Sequence, residues 1–293
     1  MEAGRDSVVG VVTQPDRPKG RRLEMAACPA KAFAAARSIP VFTPEKVNTP
    51  ESVEILRGLN PDLIVVVAYG QMLRPASLNL APYGCINVHA SLLPRYRGAA
   101  PIAWAIARGE TKTGVTTMYL NERMDAGDLI DQEEVAIESG DTAGTLQARL
   151  AGVGGRLLLK TIASIVAGTA VRTPQDEALV TYAPKLNKTD GRIEWRWSAG
   201  EICTRIRAFD PWPGCYCEFP AGSGNFVKIE RADPVDLAGD GPPGTVCEGR
   251  NDWVIQAGEG GVLCRIVRPP GGKSMEGAAF LLGHPLKEGD RAG

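Results

Sequence analysis

The chain has 293 residues, of which 44% are hydrophobic and 23% charged, and its formal net charge is -1. This length is enough for two domains that each bury a core, and the composition is that of an ordinary globular protein. Because the net charge is close to zero, binding to a polyanion would require a local cluster of basic residues. No apolar run approaches the roughly 18 residues that indicate a membrane span, so we expect no membrane association.

The cysteines argue against a disulfide framework or a zinc site. There are seven, none of them in a C-x-x-C pair, and Cys215 and Cys217 are too close together for a usual zinc half-site. We therefore expect no metal. The odd count and the absence of a signal peptide predict reduced thiols in a cytoplasmic protein, and we expect a monomer.

Short apolar runs alternate with helical stretches over the first two-thirds of the chain, which predicts a mostly parallel, Rossmann-like α/β sheet. Strands are predicted at residues 7–13, 39–42, 63–67, 85–88, 114–120 and 129–135. Helices are predicted at residues 29–38, 50–58, 99–108 and 142–167. Residues 63–67 are continuously apolar, as expected of a strand covered on both faces. Gly152, Gly154 and Gly155 weaken the middle of the last helix.

The composition changes near Gly168. Residues 169–188 are polar and are interpreted as a linker between a domain at 1–168 and a second domain at 189–293. The second domain begins with a predicted helix at 198–209, followed by short strands broken by Gly and Pro at 226–230, 244–247 and 253–257. This pattern is typical of a small β-barrel.

Asn87 and His89 form the candidate catalytic centre, together with Asp125 downstream. Residues two apart in a strand point to the same side, so Asn87 and His89 are expected to face one reacting atom. Ligands of open α/β sheets bind beyond such strand ends. The amide of Asn87 is a hydrogen-bond donor, the imidazole of His89 donates or transfers a proton, and the carboxylate of Asp125 accepts one. Asp125 also begins the sequence Asp-Ala-Gly-Asp, whose residues favour a turn. The alternative interpretation is therefore that Asp125 is a structural turn residue.

The segment from Cys85 to Ile102, CINVHASLLPRYRGAAPI, followed by MDAGD, resembles the folate-dependent formyltransferases, whose motif is an N-x-H strand, SLLP and an LDAGD-like turn. Met124 stands where the family frequently has Leu. The likeness extends through TQPDRPKGR, VVVAYGQML, LVTYAPKL and IRAFDPWPG, over nearly the whole chain.

The resemblance implies a formyltransferase domain followed by a small C-terminal domain that resembles an oligonucleotide-binding (OB) barrel and contacts tRNA. It implies catalytic roles for Asn87, His89 and Asp125, with 10-formyltetrahydrofolate as the formyl donor. It also implies that the acceptor is the α-amino group of methionine on initiator tRNA, and that the product serves translation initiation. The reaction passes through a tetrahedral intermediate with a negative oxygen, and one hydrogen-bond donor aimed at such an oxygen is worth about 3 kcal/mol.

The resemblance places the folate at two segments of the chain. The first is the loop after the strand at 63–67, at Gln71, Met72 and Leu73, opposite the turn at 122–125. The second is Ser91, Leu92, Leu93 and Pro94. Core packing is the alternative for the side chains of Met72 and Leu73.

Four basic residues, Arg17, Lys19, Arg21 and Arg22, are concentrated in PDRPKGRR, where Pro and Gly disfavour regular structure. Such a run is usually a solvated surface. In the family, an insertion of this kind lies against the tRNA acceptor stem, where Arg and Lys contact phosphates without reading sequence.

Other formyltransferases remain alternatives, acting on an amino sugar or a purine precursor, as do a formyl-folate hydrolase and an RNA-binding relative without activity. Full-length members of the family begin with an additional strand, a loop containing Gly-Thr-Pro and a helix. Here the corresponding sequence opens near Ser7, so we expect this first β-α unit to be missing and the sheet to be less stable without it.

Overall fold

The computed structural model describes residues 7–19, 24–237, 241–248, 252–284 and 290–293. They form two compact units whose segments interleave along the chain. The first unit comprises residues 1–89, 115–132 and 154–180, and the second comprises 90–114, 133–153 and 181–293. Each unit is considered by itself below.

The strands and helices of the first two-thirds follow the predicted alternation. The strands are β1 (Val11–Val12), β2 (Arg17–Lys19), β3 (Glu24–Ala26), β4 (Val41–Phe42), β5 (Ile64–Val66), β6 (Cys85–His89), β7 (Lys112–Tyr119) and β8 (Leu129–Ala136). The helices are α1 (Pro29–Ala35), α2 (Pro50–Gly58), α3 (Pro75–Leu78), α4 (Pro101–Ala107) and α5 (Ala143–Val166). Every strand and helix predicted in this region is therefore present, while α3 and the β2–β3 hairpin were not predicted.

The strands of the first unit belong to separate sheets. β1 pairs in parallel with β4, and a four-stranded sheet has the order β5-β6-β7-β8. β5 and β6 are parallel, whereas β6 and β7 are antiparallel. Val65 is 37% exposed and Val67 59% exposed, so the expectation of a strand covered on both faces was wrong. The reason is that Ile64 and Val66 pack against a core cluster on one face of β5, whereas the opposite face, which carries Val65, is left uncovered.

Helix α5 is continuous in spite of its three glycines. A Cβ atom at Gly154 would lie 3.2 Å from a methyl carbon of Val88 and 3.5 Å from one of Val115. Glycine therefore lets the helix approach the sheet closely at this point. The low intrinsic helix propensity of glycine is outweighed by this packing.

Short 3-10 helices span Glu177–Leu179 and Lys188–Gly191, and the second unit continues with α6 (Ala199–Ala208). Its further strands are β9 (Cys215–Glu218), β10 (Phe226–Val235), β11 (Val246–Glu248), β12 (Val254–Gln256), β13 (Gly261–Arg268) and β14 (Met275–Glu276), followed by α7 (Gly277–Gly283). They form a curled antiparallel sheet of order β11-β12-β13-β10-β9, with β14 beside β13. This is the expected OB-like architecture in the form of a half-barrel.

The core of the second unit is built around large side chains. Trp253 and Phe209 are both fully buried, and Trp253 stacks on Phe280 with 4.9 Å between ring centroids. Burial raises the pKa of the Cys217 thiol in the same core to about 12, which keeps it in the unreactive thiol form. No helix in the described ranges is long and apolar enough to cross a membrane.

Candidate active site

Strand β6 carries two polar side chains in the middle of a sheet. Val88 faces Gly154 of α5, so that face of the strand is covered by the helix. Asn87 and His89 alternate with Val88 and therefore face the opposite side. The sheet continues on both sides of Asn87, which pairs with Val66 of β5 and with Met118 of β7. The predicted same-side arrangement of the two residues is thus built into a strand with neighbours on both edges.

Asn87 is a mostly buried residue whose side-chain amide is still open to solvent. The residue is 8% exposed. No hydrogen bond to its side chain is formed by any group in the described parts of the chain. Neither polar atom of the amide is fully shielded from solvent, so a molecule bound at this side of the strand can reach it. The amide is therefore available to donate a hydrogen bond to a bound molecule.

His89 and Asp125 come together from different elements. The Nδ1 atom of His89 lies 3.8 Å from Oδ2 of Asp125, and their side chains are 7% and 15% exposed. This distance is longer than a hydrogen bond but within ion-pair range. Catalytic contacts are often long in a free enzyme and shorten when substrate binds. The structure therefore places Asp125 beside His89, on the side of β6 that also carries Asn87.

Asp125 lies in the connection between β7 and β8, with a backbone φ of +48°. Only a small part of the left-handed region is open to residues with a Cβ, although Asp adopts it more readily than most. The side-chain amide of Asn121 donates to the carbonyl oxygen of Ala126 at 3.2 Å and closes the turn. Non-glycine residues in this conformation concentrate at functional sites, where the surrounding structure holds them.

This arrangement is suited to acyl-group transfer. Asn87 supplies a neutral donor and His89 supplies a donor or a proton, so negative charge that develops on an oxygen between them would be stabilised. The carboxylate of Asp125 is on the same side as the imidazole and accepts protons. Among the residues that the structure describes, no group of three or more His, Cys, Asp or Glu side chains could hold a metal ion.

The predicted folate residues of the first unit differ in their surroundings. Both ends of the Gln71 side-chain amide are engaged by the main chain, with Val47 N donating to its oxygen at 3.0 Å and its nitrogen donating to Glu45 O at 3.1 Å. Met72 is 47% exposed, whereas Leu73 is buried in a cluster with Val47 and Cys85. Core packing, the alternative interpretation, therefore holds for the Leu73 side chain.

The Ser91–Pro94 segment follows β6 directly and belongs to the second unit. Ser91 is fully buried and its hydroxyl donates to the carbonyl oxygen of Arg95 at 2.7 Å. Leu93 is also buried, and the Leu93–Pro94 peptide bond is cis. Leu92 is partly buried.

The basic loop is only partly described. Arg17 and Lys19 lie on β2, which pairs with β3 in an antiparallel hairpin. Regular structure is therefore present where Pro and Gly had argued against it. Arg17 is exposed. Arg21 and Arg22 lie outside the described residues.

Sequence reasoning missed Gln175. Its side-chain nitrogen donates to the carbonyl oxygens of Asp125 and Gly127, both at 2.8 Å. It lies in the polar 169–188 segment interpreted as a linker, and one glutamine among many polar residues gives no local signal. Only its contact with a loop 50 residues upstream identifies it.

The chain is similar to known proteins over nearly its whole length. The sequence profile of the formyl transferase family matches residues 2–162, and that of the formyl transferase C-terminal domain matches residues 185–285. Methionyl-tRNA formyltransferase from Moorella thermoacetica is 46% identical over 294 residues, covering 100% of this chain and 94% of the relative. Methionyl-tRNA formyltransferase from Pelotomaculum thermopropionicum is 45% identical, covering 99% of this chain and 91% of the relative.

Solved structures share the fold at lower identity. HypX from Aquifex aeolicus in complex with tetrahydrofolic acid superposes with a TM-score of 0.64 at 19% identity, covering 98% of this chain and 51% of that one. An N-formyltransferase from Helicobacter canadensis, in complex with folinic acid and dTDP-3-aminofucose, gives a TM-score of 0.62 at 17% identity, covering 88% of this chain and 99% of that one.

Proposed function

The chain belongs to the methionyl-tRNA formyltransferase family, and from this we propose that it transfers a formyl group from 10-formyltetrahydrofolate to the α-amino group of methionine on initiator tRNA. The observation that supports the proposal is the approach of His89 to Asp125, 3.8 Å apart, on the side of β6 that also carries the Asn87 amide. The product, formylmethionyl-tRNA, serves translation initiation.

Asn87 and His89 stabilise the charge that forms during the transfer. The amine nitrogen bonds to the formyl carbon, and the electron pair of the C=O bond moves onto oxygen. Asn87 donates a hydrogen bond to that oxygen, and an N–H of the His89 imidazole donates a second. Donors fixed on a strand need little reorganisation as the charge appears, which is the source of their effect on rate.

Asp125 handles the proton that the amine must lose. After the new C–N bond forms, the attacking nitrogen carries a positive charge and an acidic proton. The carboxylate of Asp125, next to His89, accepts this proton directly or through one water. The carbonyl then reforms as the bond between the formyl carbon and the donor nitrogen breaks, and the proton is returned to that leaving nitrogen.

The formyl donor would lie against the loop after β5. Met72 presents an exposed side chain there, and its carbonyl oxygen accepts a hydrogen bond from Asn48 at 2.8 Å. Because the Gln71 side chain is occupied and Leu73 is in the core, we propose that these two residues act through their main-chain groups. Ser91, Leu92, Leu93 and Pro94 stay a proposed second contact.

A row of side chains on the C-terminal sheet supports tRNA binding by the domain at 189–293. Arg192 bridges Tyr216, Tyr216 pairs with Lys228, and Lys228 pairs with Arg268. Residues directly opposite in neighbouring strands face the same side, so these four form one line across the sheet, which we call the cationic row. Arg268 is paired with Glu230 at 2.6 Å. In the described ranges, neither Arg192 nor Lys228 has a carboxylate within ion-pair distance.

Aromatic rings accompany the cationic row. Phe226 is 47% exposed and packs edge-on against Tyr216, with 5.6 Å between ring centroids. Positive side chains for the phosphates and exposed rings for unpaired bases are the features with which proteins bind single-stranded nucleic acid. In this proposal, the cationic row contacts the tRNA backbone and an unpaired base stacks on the Tyr216–Phe226 pair.

The basic residues Arg17, Lys19, Arg21 and Arg22 are proposed as a second tRNA contact. The loop after β1 lies next to the loop after β5, because the side chain of Gln14 donates to the carbonyl oxygen of Tyr69 at 3.0 Å. β5 in turn pairs with β6. The chain after β1 therefore emerges near the strand end that carries His89. Arg21→Ala is expected to raise the KM for charged tRNA and to leave the KM for the folate unchanged.

The experiment that tests the proposed function offers several acceptors to the same enzyme. Formylation is measured with methionyl initiator tRNA, with an amino sugar nucleotide and with a purine-precursor amine, each with 10-formyltetrahydrofolate. The proposal predicts turnover with the charged tRNA at least about a hundredfold faster than with either free amine. Faster formylation of a free amine would show that the enzyme is a small-molecule formyltransferase. Release of formate without an acceptor would show that it is a formyl-folate hydrolase.

A further inference from the structure

The segment at residues 172–177 lies alongside the connection that carries Asp125. Thr173 exchanges both main-chain hydrogen bonds with Leu129, at 2.8 and 3.0 Å. The guanidinium of Arg172 lies 3.7 Å from the centroid of the Tyr119 ring. Since Tyr119 and Leu129 stand at the two ends of the connection, the 172–177 segment is fixed to both of them.

Gln175 is the one residue of positions 171–179 that is not exposed. Its side-chain nitrogen has two hydrogens, and it donates to two acceptors, the carbonyl oxygens of Asp125 and Gly127 at 2.8 Å each. These carbonyls belong to the Asp125–Ala126 and Gly127–Asp128 peptides, so one amide group holds the first and the third peptide planes after Asp125.

We propose that Gln175 is a positioning residue for formyl transfer, which keeps the backbone of Asp125 in its left-handed conformation and its carboxylate beside His89. This inference rests on the proposed function, since it gives Asp125 a catalytic role. Asp125 has a φ of +48°. An L-residue usually prefers a negative φ, so this conformation must be held by its surroundings. The bonds from Gln175 oppose rotation of the peptide planes, and such rotation would carry the carboxylate away from the imidazole.

Replacing Gln175 should reduce the rate of the chemical step more than the binding of either substrate. We expect Gln175→Ala to lower kcat about 30-fold, because a displacement on the order of 1 Å in a catalytic group costs up to about a hundredfold. The KM values for charged tRNA and for the folate should change by less than about twofold. Gln175→Glu keeps the size of the side chain but has no N–H to donate, so it should be at least as slow.

The matched control is Asp176→Asn. This exposed neighbour accepts a hydrogen bond from Ala178 N at 2.9 Å, and the asparagine oxygen can still accept it. The control should keep the kinetic constants of the wild type. Equal loss in Asp176→Asn and Gln175→Glu would mean that the segment tolerates no substitution, and the specific role of Gln175 would be wrong.

A double-mutant cycle with Asp125→Asn separates positioning from general structural support. If Gln175 acts through the Asp125 carboxylate, Gln175→Ala should slow single-turnover transfer less than about twofold in the Asp125→Asn background, although it slows the wild type about 30-fold. Multiplicative effects in the two backgrounds would overturn the inference. Full activity of Asp125→Asn alone would instead overturn the proposed catalytic role of Asp125, so the two failures are distinguishable.

Discussion

A methyl group placed on Gly127 would lie 1.8 Å from the main-chain oxygen of Tyr119, because the turn after Asp125 passes directly against the end of β7. No side chain fits at this distance, so the backbone would have to move. Gly127→Ala is therefore expected to displace the Asp125 turn and to lower kcat/KM at least about a hundredfold.

The control for this change is Gly140→Ala. No atom lies within 4 Å of a Cβ at Gly140, and its φ is not in the left-handed region. That variant should keep its activity, and its stability should be unchanged or up to about 1 kcal/mol higher. Near-normal activity of Gly127→Ala would show that the turn has room to shift without harm to the reaction.

Asn87→Ala and His89→Ala test the charge-stabilising role of β6. Each should lower the single-turnover rate of formylation at least about a hundredfold, as expected for loss of a donor to an oxyanion. Because neither side chain is needed to bind the tRNA backbone, affinity for charged tRNA should change little. A His89→Ala variant with a nearly normal single-turnover rate would remove the central claim about the site.

Lys228→Ala tests the cationic row. Loss of one phosphate contact should flatten the dependence of log affinity for tRNA on log salt concentration by about one unit and raise the KM for tRNA several-fold. The KM for the folate should not change. Lys112→Ala is the control, since its ammonium is paired with Glu134 at 2.7 Å elsewhere in the same unit. Identical salt dependences for the two variants would exclude Lys228 from the tRNA contact.

Asp141→Asn is expected to destabilise the second unit in a pH-dependent way. Burial acts to raise the pKa of the Asp141 carboxyl, but hydrogen bonds from Arg149, Glu138 N and Thr145 outweigh it and lower the pKa below its usual value. A lowered pKa in the folded state stabilises the protein above the unfolded pKa of about 3.9, and this contribution is lost as the pH falls through the folded value.

The free energy of unfolding of Asp141→Asn should accordingly be about 2 kcal/mol lower than that of the wild type at pH 7. The difference should shrink as the pH is lowered below about 4. Denaturant melts of both proteins at several pH values measure it, with the exposed Asp236→Asn as the control. A difference that is constant with pH would mean that the charge of Asp141 is not what stabilises the unit.

Local signals predicted most elements of the fold. Helix α2 was predicted at its observed bounds because Pro50 suits its first turn, and in the structure Thr49 caps its N-terminus. The same-side orientation of Asn87 and His89 follows from strand geometry alone. The exposure of Val65 was not predictable from its apolar run, because whether a face of a strand is covered depends on which distant segments pack against it.

Features that depend on long-range register were not predicted. The cationic row joins residues from position 192 to position 268, and only the pairing of three strands and one isolated bridge puts them in line. Gln175 was missed for the same reason, because its partners are the carbonyl oxygens of a distant turn. The sequence contains both sets of residues but not the distances between them.

The segments that carry the candidate catalytic residues differ in the free energy of local unfolding. Asn87 and His89 belong to a strand with hydrogen-bonded neighbours on both sides, and the amides of such a strand exchange with solvent mainly when the whole sheet unfolds. Asp125 belongs to a turn closed by a few side-chain hydrogen bonds, which opens in local fluctuations. On heating, the turn should therefore lose its structure first, and the enzyme would become inactive while β6 is still protected from hydrogen exchange.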